Sequence, residues 1–192
     1  MASISTRRGD DGSTASPGGA RLSKGELRVE ASGCVDELNS VLGVARAFCD
    51  DPDLAATVLR IQRLLFPVGS AISTKPGGRK DVAIIGDELV TMLDELVERF
   101  EATPGVMRDW TVPGGHRTSA HFEVARTVCR RAERNVVRLM ASGEEVQKNV
   151  LRFLNRLSDV LWLCARMRDA AHGVDARLRD EAHPGPPWSR AW

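Results

Sequence analysis

Apolar residues in this chain recur at intervals of three and four, the spacing that lines one face of an α-helix. Val35, Leu38, Val41, Leu42, Ala45 and Phe48 form the first such stripe, in a helix that starts after Glu26. Asp51-Pro52 supplies an N-cap and a proline at the first helical position of a second helix. Its stripe is Leu54, Val58, Ile61, Leu65, Val68 and Ile72, and Lys75-Pro76-Gly77-Gly78 ends it. A third helix is predicted from about Asp87 to Glu101, with Leu89, Leu93, Leu96, Val97 and Phe100 inward, before Thr103-Pro104-Gly105 breaks the pattern. Pro113-Gly114-Gly115 marks a further turn. A fourth helix follows to about Met140, and after Ser142-Gly143 a fifth carries Val150, Leu151, Leu154, Leu157, Leu161 and Ala165. Five amphipathic helices with no strand pattern predict an all-α fold, a five-helix bundle.

The two ends of the chain differ from this middle. Residues 1–25 place Gly9, Gly12, Gly18, Gly19 and Gly25 among Ser, Thr, Asp and Arg, a composition that favours an irregular, mobile arm. Residues 26–175 then form the helical-bundle domain. Residues 176–192, with His183-Pro184-Gly185-Pro186-Pro187-Trp188, have the composition of a flexible tail. A length of 192 residues suits one domain with a substantial core, and no internal repeat is visible.

Composition narrows the functional classes. Tyrosine is absent, which argues against a sheet-rich fold. Lys and Arg number 27 against 26 Asp and Glu, so a net charge of +1 gives no overall field for nucleic acid or an anionic membrane. Any phosphate binding must be local. Cys34, Cys49, Cys129 and Cys164 are far apart and sit in apolar helical contexts, which reads as reduced core cysteines rather than a zinc or redox pair. No apolar run approaches the roughly 20 residues that span a bilayer, and the N-terminus lacks the apolar centre of a secretory signal. A cytoplasmic protein is expected.

Two segments carry candidate chemistry. Thr6-Arg7-Arg8-Gly9-Asp10-Asp11-Gly12-Ser13-Thr14 mixes glycines, hydroxyls and basic side chains. Backbone N–H groups freed by glycine can form an anion nest completed by hydroxyls and cations. The same composition also suits an ordinary polar terminus, and the stretch does not follow the P-loop pattern. The fourth helix carries Arg126, Arg130, Arg131, Glu133, Arg134 and Arg138, with Arg126, Arg130 and Arg134 four apart on one face. Guanidinium groups so close repel unless an anion neutralises them. A solvated face paired with neighbouring carboxylates is the alternative. Asp36, Glu37 and Asn39 on the first helix, and Asn155 and Asp159 on the fifth, are polar positions able to fix an arginine while leaving it free for bidentate phosphate binding. No histidine follows a glutamate by three positions, and His116 and His121 are five apart, so neither a di-iron bundle pattern nor a zinc helix pattern is present.

Four stretches together are similar to the PduO-type ATP:cob(I)alamin adenosyltransferases, from about Thr6 to Arg168. They are TRRGDDGST at 6–14 with RLSK at 21–24, RVEASGCVDELNSVLGVAR at 28–46, VPGG at 112–115 leading to VARTVCRRAER at 124–134, and FLNRLSDVLW at 153–162. The resemblance implies a homotrimer with each active site between adjacent subunits. It implies that Thr6, Arg7, Gly9, Asp10, Gly12, Thr14 and Lys24 of the arm contact ATP, together with Arg126, Arg130, Glu133, Arg134 and Asn155. Asp36 matches the acid that bridges to Arg126 across the interface, and these two with Arg130 are the implied catalytic set. Mg²⁺ is implied on the ATP phosphates, with no side-chain ligand assigned, and cobalamin is the acceptor substrate. An adenosylcobalamin-dependent mutase and a reductase are the protein partners such chemistry suggests.

The chain departs from the family pattern at three positions on the cobalamin side. Trp110 stands where phenylalanine usually precedes the proline of the turn by three residues, in the apolar wall beneath the corrin. Ser32 stands where an aromatic is common. Glu123 stands where histidine is usual. A non-catalytic helical sensor or carrier that binds ATP and cobalamin is the alternative reading, and formation of a cobalt–carbon bond separates the two.

Overall fold

The computed structural model describes residues 5–17, 19–75, 83–179 and 182–185. Five helices follow one another: α1 (Leu27–Ala47), α2 (Pro52–Ser73), α3 (Asp87–Glu101), α4 (Arg117–Ala141) and α5 (Lys148–Ala171). Each predicted helix is present, and their starts have local causes. The Asp51 carboxylate accepts from the backbone N–H groups of Asp53 at 3.1 Å and Leu54 at 2.9 Å, with Pro52 next in line. His116 caps α4, its Nδ1 accepting from the Thr118 N–H at 3.3 Å.

α4 lies between α1 and α5, α2 packs on α1, and α3 packs on α5. The predicted stripes meet in one core, apart from Phe48, which is half-exposed just past α1. Leu38, Leu42, Ile61, Leu65, Leu154 and Leu157 are buried there, with Phe122 and Phe153. Burying a Leu or Phe side chain contributes about 1.5–3 kcal/mol relative to leaving it in water, so these stripes drive the assembly. Arg28 is one of the charged residues buried with them, at 1% exposure. Its Nη1 donates to the Ile72 carbonyl at 2.5 Å, and its Nη2 donates to Glu144 Oε2 at 2.7 Å and to the Glu145 carbonyl at 3.3 Å. The start of α1 is thereby tied to the end of α2 and the α4–α5 turn.

One feature corrects the all-helical expectation. Residues 13–23 form a small antiparallel hairpin, β1 (Ser13–Ala15) and β2 (Arg21–Ser23), with Thr14 opposite Leu22. Its turn closes through Ser16 N–H to the Ala20 carbonyl at 2.8 Å and Gly19 N–H to the Ser16 carbonyl at 2.9 Å, with Gly19 at φ 86°. The positive φ is what requires glycine there. Part of the arm is therefore regular, and Leu22 anchors it as a buried apolar side chain.

Beyond α5 the chain returns to the loop before α4. Leu178 N–H donates to the Trp110 carbonyl at 2.7 Å, Val112 N–H donates to the Ala176 carbonyl at 2.8 Å, and Thr111 and Arg177 form an antiparallel bridge. This pairing lies inside the stretch expected as a tail. Pro186-Pro187-Trp188, Gly18 of the arm and the Pro76-Gly77-Gly78 stop lie outside the described residues. All four cysteines are free thiols. Burial raises the pKa of Cys129 and Cys164, and the Cys129 thiol donates to the Leu154 carbonyl at 3.2 Å. No helix among the described residues is long and apolar enough to cross a membrane.

Candidate functional site

The arginines of α4 divide by environment. Arg131 pairs with Glu37 of α1, and Arg138 Nη1 donates to Asn135 Oδ1 at 3.1 Å, so these two serve the bundle. Arg126 and Arg130 instead line a cavity of about 290 Å³ together with Trp110, Arg156, Asp159 and Trp162. The cavity has a cationic side on α4 and an aromatic side where Trp110 meets Trp162 edge to face, ring centroids 5.8 Å apart at 65°. Arg126 Nε donates to Glu123 Oε2 at 2.7 Å, which leaves its two terminal nitrogens for other acceptors. Among the described residues no hydrogen bond or ion pair engages Arg130 or Arg134, both exposed. Arg156 bonds Asp159 at 3.0 Å and also pairs with Asp94. Burial on the cavity side raises the pKa of Asp159, opposed by its bond to Arg156 and the charge of Arg130.

Glu133 and Asn155 are brought together, Asn155 Nδ2 donating to Glu133 Oε1 at 3.0 Å across α4 and α5. Asp36 stands exposed on α1, and Arg126 takes its carboxylate partner from Glu123 of its own helix.

The arm forms its own turn. Gly12 N–H donates to the Gly9 carbonyl at 3.2 Å, Lys24 N–H donates to the Gly12 carbonyl at 2.9 Å, and Lys24 Nζ donates to the Gly9 carbonyl at 2.8 Å. The Lys24 ammonium is thus tucked against the glycine turn. Gly12 has φ 81° and Arg7 φ 57°, left-handed conformations of the kind found in anion nests. Thr6 Oγ1 lies 3.5 Å from the Arg8 N–H, while Asp10 is exposed and Thr14 sits in β1. Among the described residues none of the arm lines the α4 cavity. The two groups of candidate residues are separate within one chain.

Sequence reasoning missed one residue that lines the cavity, Trp162, and two buried behind it, Glu123 and Arg166. Trp162 was read only as part of a motif, and Arg166, a buried arginine on the apolar side of α5, was not singled out. Glu123 was noted only as a departure. Arg166 Nη2 donates to Glu123 Oε1 at 2.9 Å. A charged residue inside a helix's apolar stripe was the available signal. A second cavity of about 370 Å³ lies where the loop before α4 meets the segment after α5, lined by Asp109, Asp169, Asp175, Arg108, Arg166 and Arg177 among others. Its ionic side chains balance, so it has no cationic bias. His116 stacks on His172, and His121 stacks on Phe48, both in packing roles.

The fold and the cavity define a five-helix bundle that presents guanidinium groups and a tryptophan pair to one cavity. Residues 4–168 match the sequence model of the family described as cobalamin adenosyltransferase, and the chain belongs to that family. It is 42% identical over 175 residues to the corrinoid adenosyltransferase of Bacillus subtilis, spanning 88% of each chain. It is 37% identical over 177 residues to that of Citrobacter freundii, spanning 92% of this chain and 100% of the relative. A variant PduO-type ATP:corrinoid adenosyltransferase from Lactobacillus reuteri, complexed with cobalamin and ATP, superposes with a TM-score of 0.87 at 32% identity, covering 93% of this chain and 100% of that one.

Proposed function

We infer that this chain transfers the 5′-deoxyadenosyl group of ATP to the cobalt of cob(I)alamin, giving adenosylcobalamin and triphosphate. The observation that carries the reading is one cavity holding Arg126, Arg130 and Trp110 in a chain of the cobalamin adenosyltransferase family. Cob(I)alamin is the nucleophile: the cobalt–carbon bond forms as the bond from C5′ to the triphosphate oxygen breaks. The protein needs no acid or base for this step. Its work is to hold C5′ in line with cobalt and to neutralise the leaving triphosphate.

Arg126 and Arg130 suit the second task, aided by Lys24 and the glycine turn at Gly9 to Gly12. Mg²⁺ enters on the phosphates, whose hard oxygens are its preferred ligands. Trp110, backed by Trp162, forms the apolar wall that displaces the lower axial ligand, so that bound Co(II) is more readily reduced to Co(I). The separation of arm and cavity within one chain, and the exposed Asp36, support a homotrimer. In it the arm of one subunit completes the cavity of the next and Asp36 meets the neighbouring Arg126. The exposed apolar residues Val44 of α1, Phe48 just after it and Val124 of α4 offer surface for that contact. A cytoplasmic location, a reductase as electron source and an adenosylcobalamin-dependent mutase as receiver complete the proposal.

The test is incubation with ATP, Mg²⁺ and chemically reduced cobalamin, following the absorbance change to adenosylcobalamin with release of triphosphate. Binding of both ligands without a cobalt–carbon bond would make the chain a sensor or carrier instead.

A further inference from the structure

Glu123 lies on α4 but points into the bundle, at 5% exposure. Its two oxygens hold two different arginines. Oε2 accepts from Arg126 Nε at 2.7 Å, and Oε1 accepts from Arg166 Nη2 at 2.9 Å. Arg126 belongs to the cationic side of the cavity. Arg166, on α5 and 3% exposed, lies over the Trp162 ring at 5.4 Å from its centroid, and Trp162 in turn meets Trp110. One buried carboxylate is therefore linked to both walls of the cavity.

The remaining contacts make this link decisive for geometry. Arg166 Nε and Nη1 are buried without a hydrogen-bond partner among the described residues, so its guanidinium is placed by Glu123, by Asp169 at 3.3 Å and by the Trp162 face. Engaging Arg126 through Nε aims its two terminal nitrogens away from Glu123, the presentation that suits an oxyanion. A buried ion pair gives little net stability over apolar packing of the same volume. The arrangement thus matters less to the strength of the bundle than to where the two walls stand.

We propose that Glu123 is a positioning residue that sets Arg126 on the phosphate side and, through Arg166 and Trp162, the Trp110 wall on the corrin side, coupling the affinities for the two substrates. The proposal rests on the adenosyl-transfer reading above.

Two substitutions in the 192-residue chain separate the two links. Glu123→Gln keeps the shape and removes the charge, and it raises KM for both ATP and cobalamin by about tenfold, the effect of losing one charge-assisted hydrogen bond. Arg166→Met leaves the Glu123 to Arg126 bond in place, so it raises KM for cobalamin and leaves KM for ATP within about twofold of wild type. Calorimetric titration with MgATP alone follows the same division. Glu123→Asp, which retains the charge, recovers part of the loss.

A folded Glu123→Gln protein with both KM values near wild type overturns the proposal, as does an Arg166→Met protein whose ATP and cobalamin values shift equally. If Glu123→Gln does not fold, Glu123→Gln with Arg166→Met removes the unbalanced buried cation, and both KM values are again expected to rise. Their staying near wild type has the same overturning force. A wild-type chain that binds MgATP yet makes no cobalt–carbon bond contradicts the proposed function, and the Arg126 link is then judged on the MgATP titrations.

Discussion

The arm at residues 5–25 and the fourth helix carry most of the residues proposed to meet ATP, yet they are built in opposite ways. The arm is an exposed hairpin closed by short-range bonds, with Leu22 buried and Lys24 folded over its own glycine turn. α4 is a 25-residue helix packed between α1 and α5, and its site arginine Arg126 is oriented by a buried acid. The first can reshape around a ligand at little cost to the bundle, while the second is preorganised and pays its ordering entropy during folding. Loss of the exposed cavity cation Arg130 should therefore act on the transition state, and changes on the arm on ATP affinity.

The largest effect is expected at Arg130. Arg130→Ala removes an exposed cavity cation, so the fold and thermal midpoint should persist while kcat/KM falls on the order of 10²-fold. Near-normal kinetics would assign the arginine face to solvation. On the aromatic side, Trp110→Ala should cost on the order of tenfold when the reaction starts from Co(II), with partial rescue by pre-reduced Co(I). Electron paramagnetic resonance of Co(II) cobalamin with MgATP reads the cause. Wild type should show a four-coordinate species and the variant much less, whereas equal signals would make Trp110 an ordinary packing residue.

Smaller effects are expected on the arm. A Cβ at Gly12 meets nothing within 4 Å, so Gly12→Ala adds only the cost of φ 81° for an L residue, about 1 kcal/mol. KM for ATP should rise about fivefold with the bundle's thermal midpoint unchanged; an unchanged KM would separate the glycine turn from ATP binding. The smallest effect concerns Asp11, whose carboxylate accepts from the Ser13 hydroxyl at 2.6 Å and the Ser13 N–H at 2.9 Å. Those bonds, the hydroxyl first, hold its pKa below the ordinary 3.8. A depressed folded-state pKa means that the hairpin gains from this carboxylate above that ordinary value and loses the gain as pH falls through the folded one. Titration of the Asp11 carboxyl carbon by nuclear magnetic resonance should give a midpoint under 3.8, and a midpoint at or above it would mean the Ser13 bonds are not held in solution.

The same contrast explains what could be read from sequence. Helix positions were legible because stripes such as Leu54, Val58, Ile61 and Leu65 repeat over several turns, and Asp51-Pro52 and Thr103-Pro104-Gly105 punctuate them. The hairpin was not, since strands of three residues are too short to display alternation. At the site, Arg126, Arg130 and Trp110 stood out by residue type and motif, and the cavity does unite them. Glu123 and Arg166 are 43 positions apart, and their bond arises only when α4 and α5 pack, which helical periodicity within either segment cannot express. Asn155 and Glu133, by contrast, were both flagged by the resemblance and do meet.

In the proposed assembly a complete site takes its arm from one chain and its α4 cavity from another, and it forms a cobalt–carbon bond. Mixing two impaired variants tests this arrangement: one lacking residues 1–25, the other carrying Arg130→Ala. After denaturation and joint refolding, adenosylcobalamin formation from ATP, Mg²⁺ and cob(I)alamin should rise well above the sum of the separately refolded proteins, because some sites then combine an intact arm with an intact cavity. Activity no greater than that sum, in mixtures shown to contain mixed oligomers, would place the whole site within one chain and contradict the account.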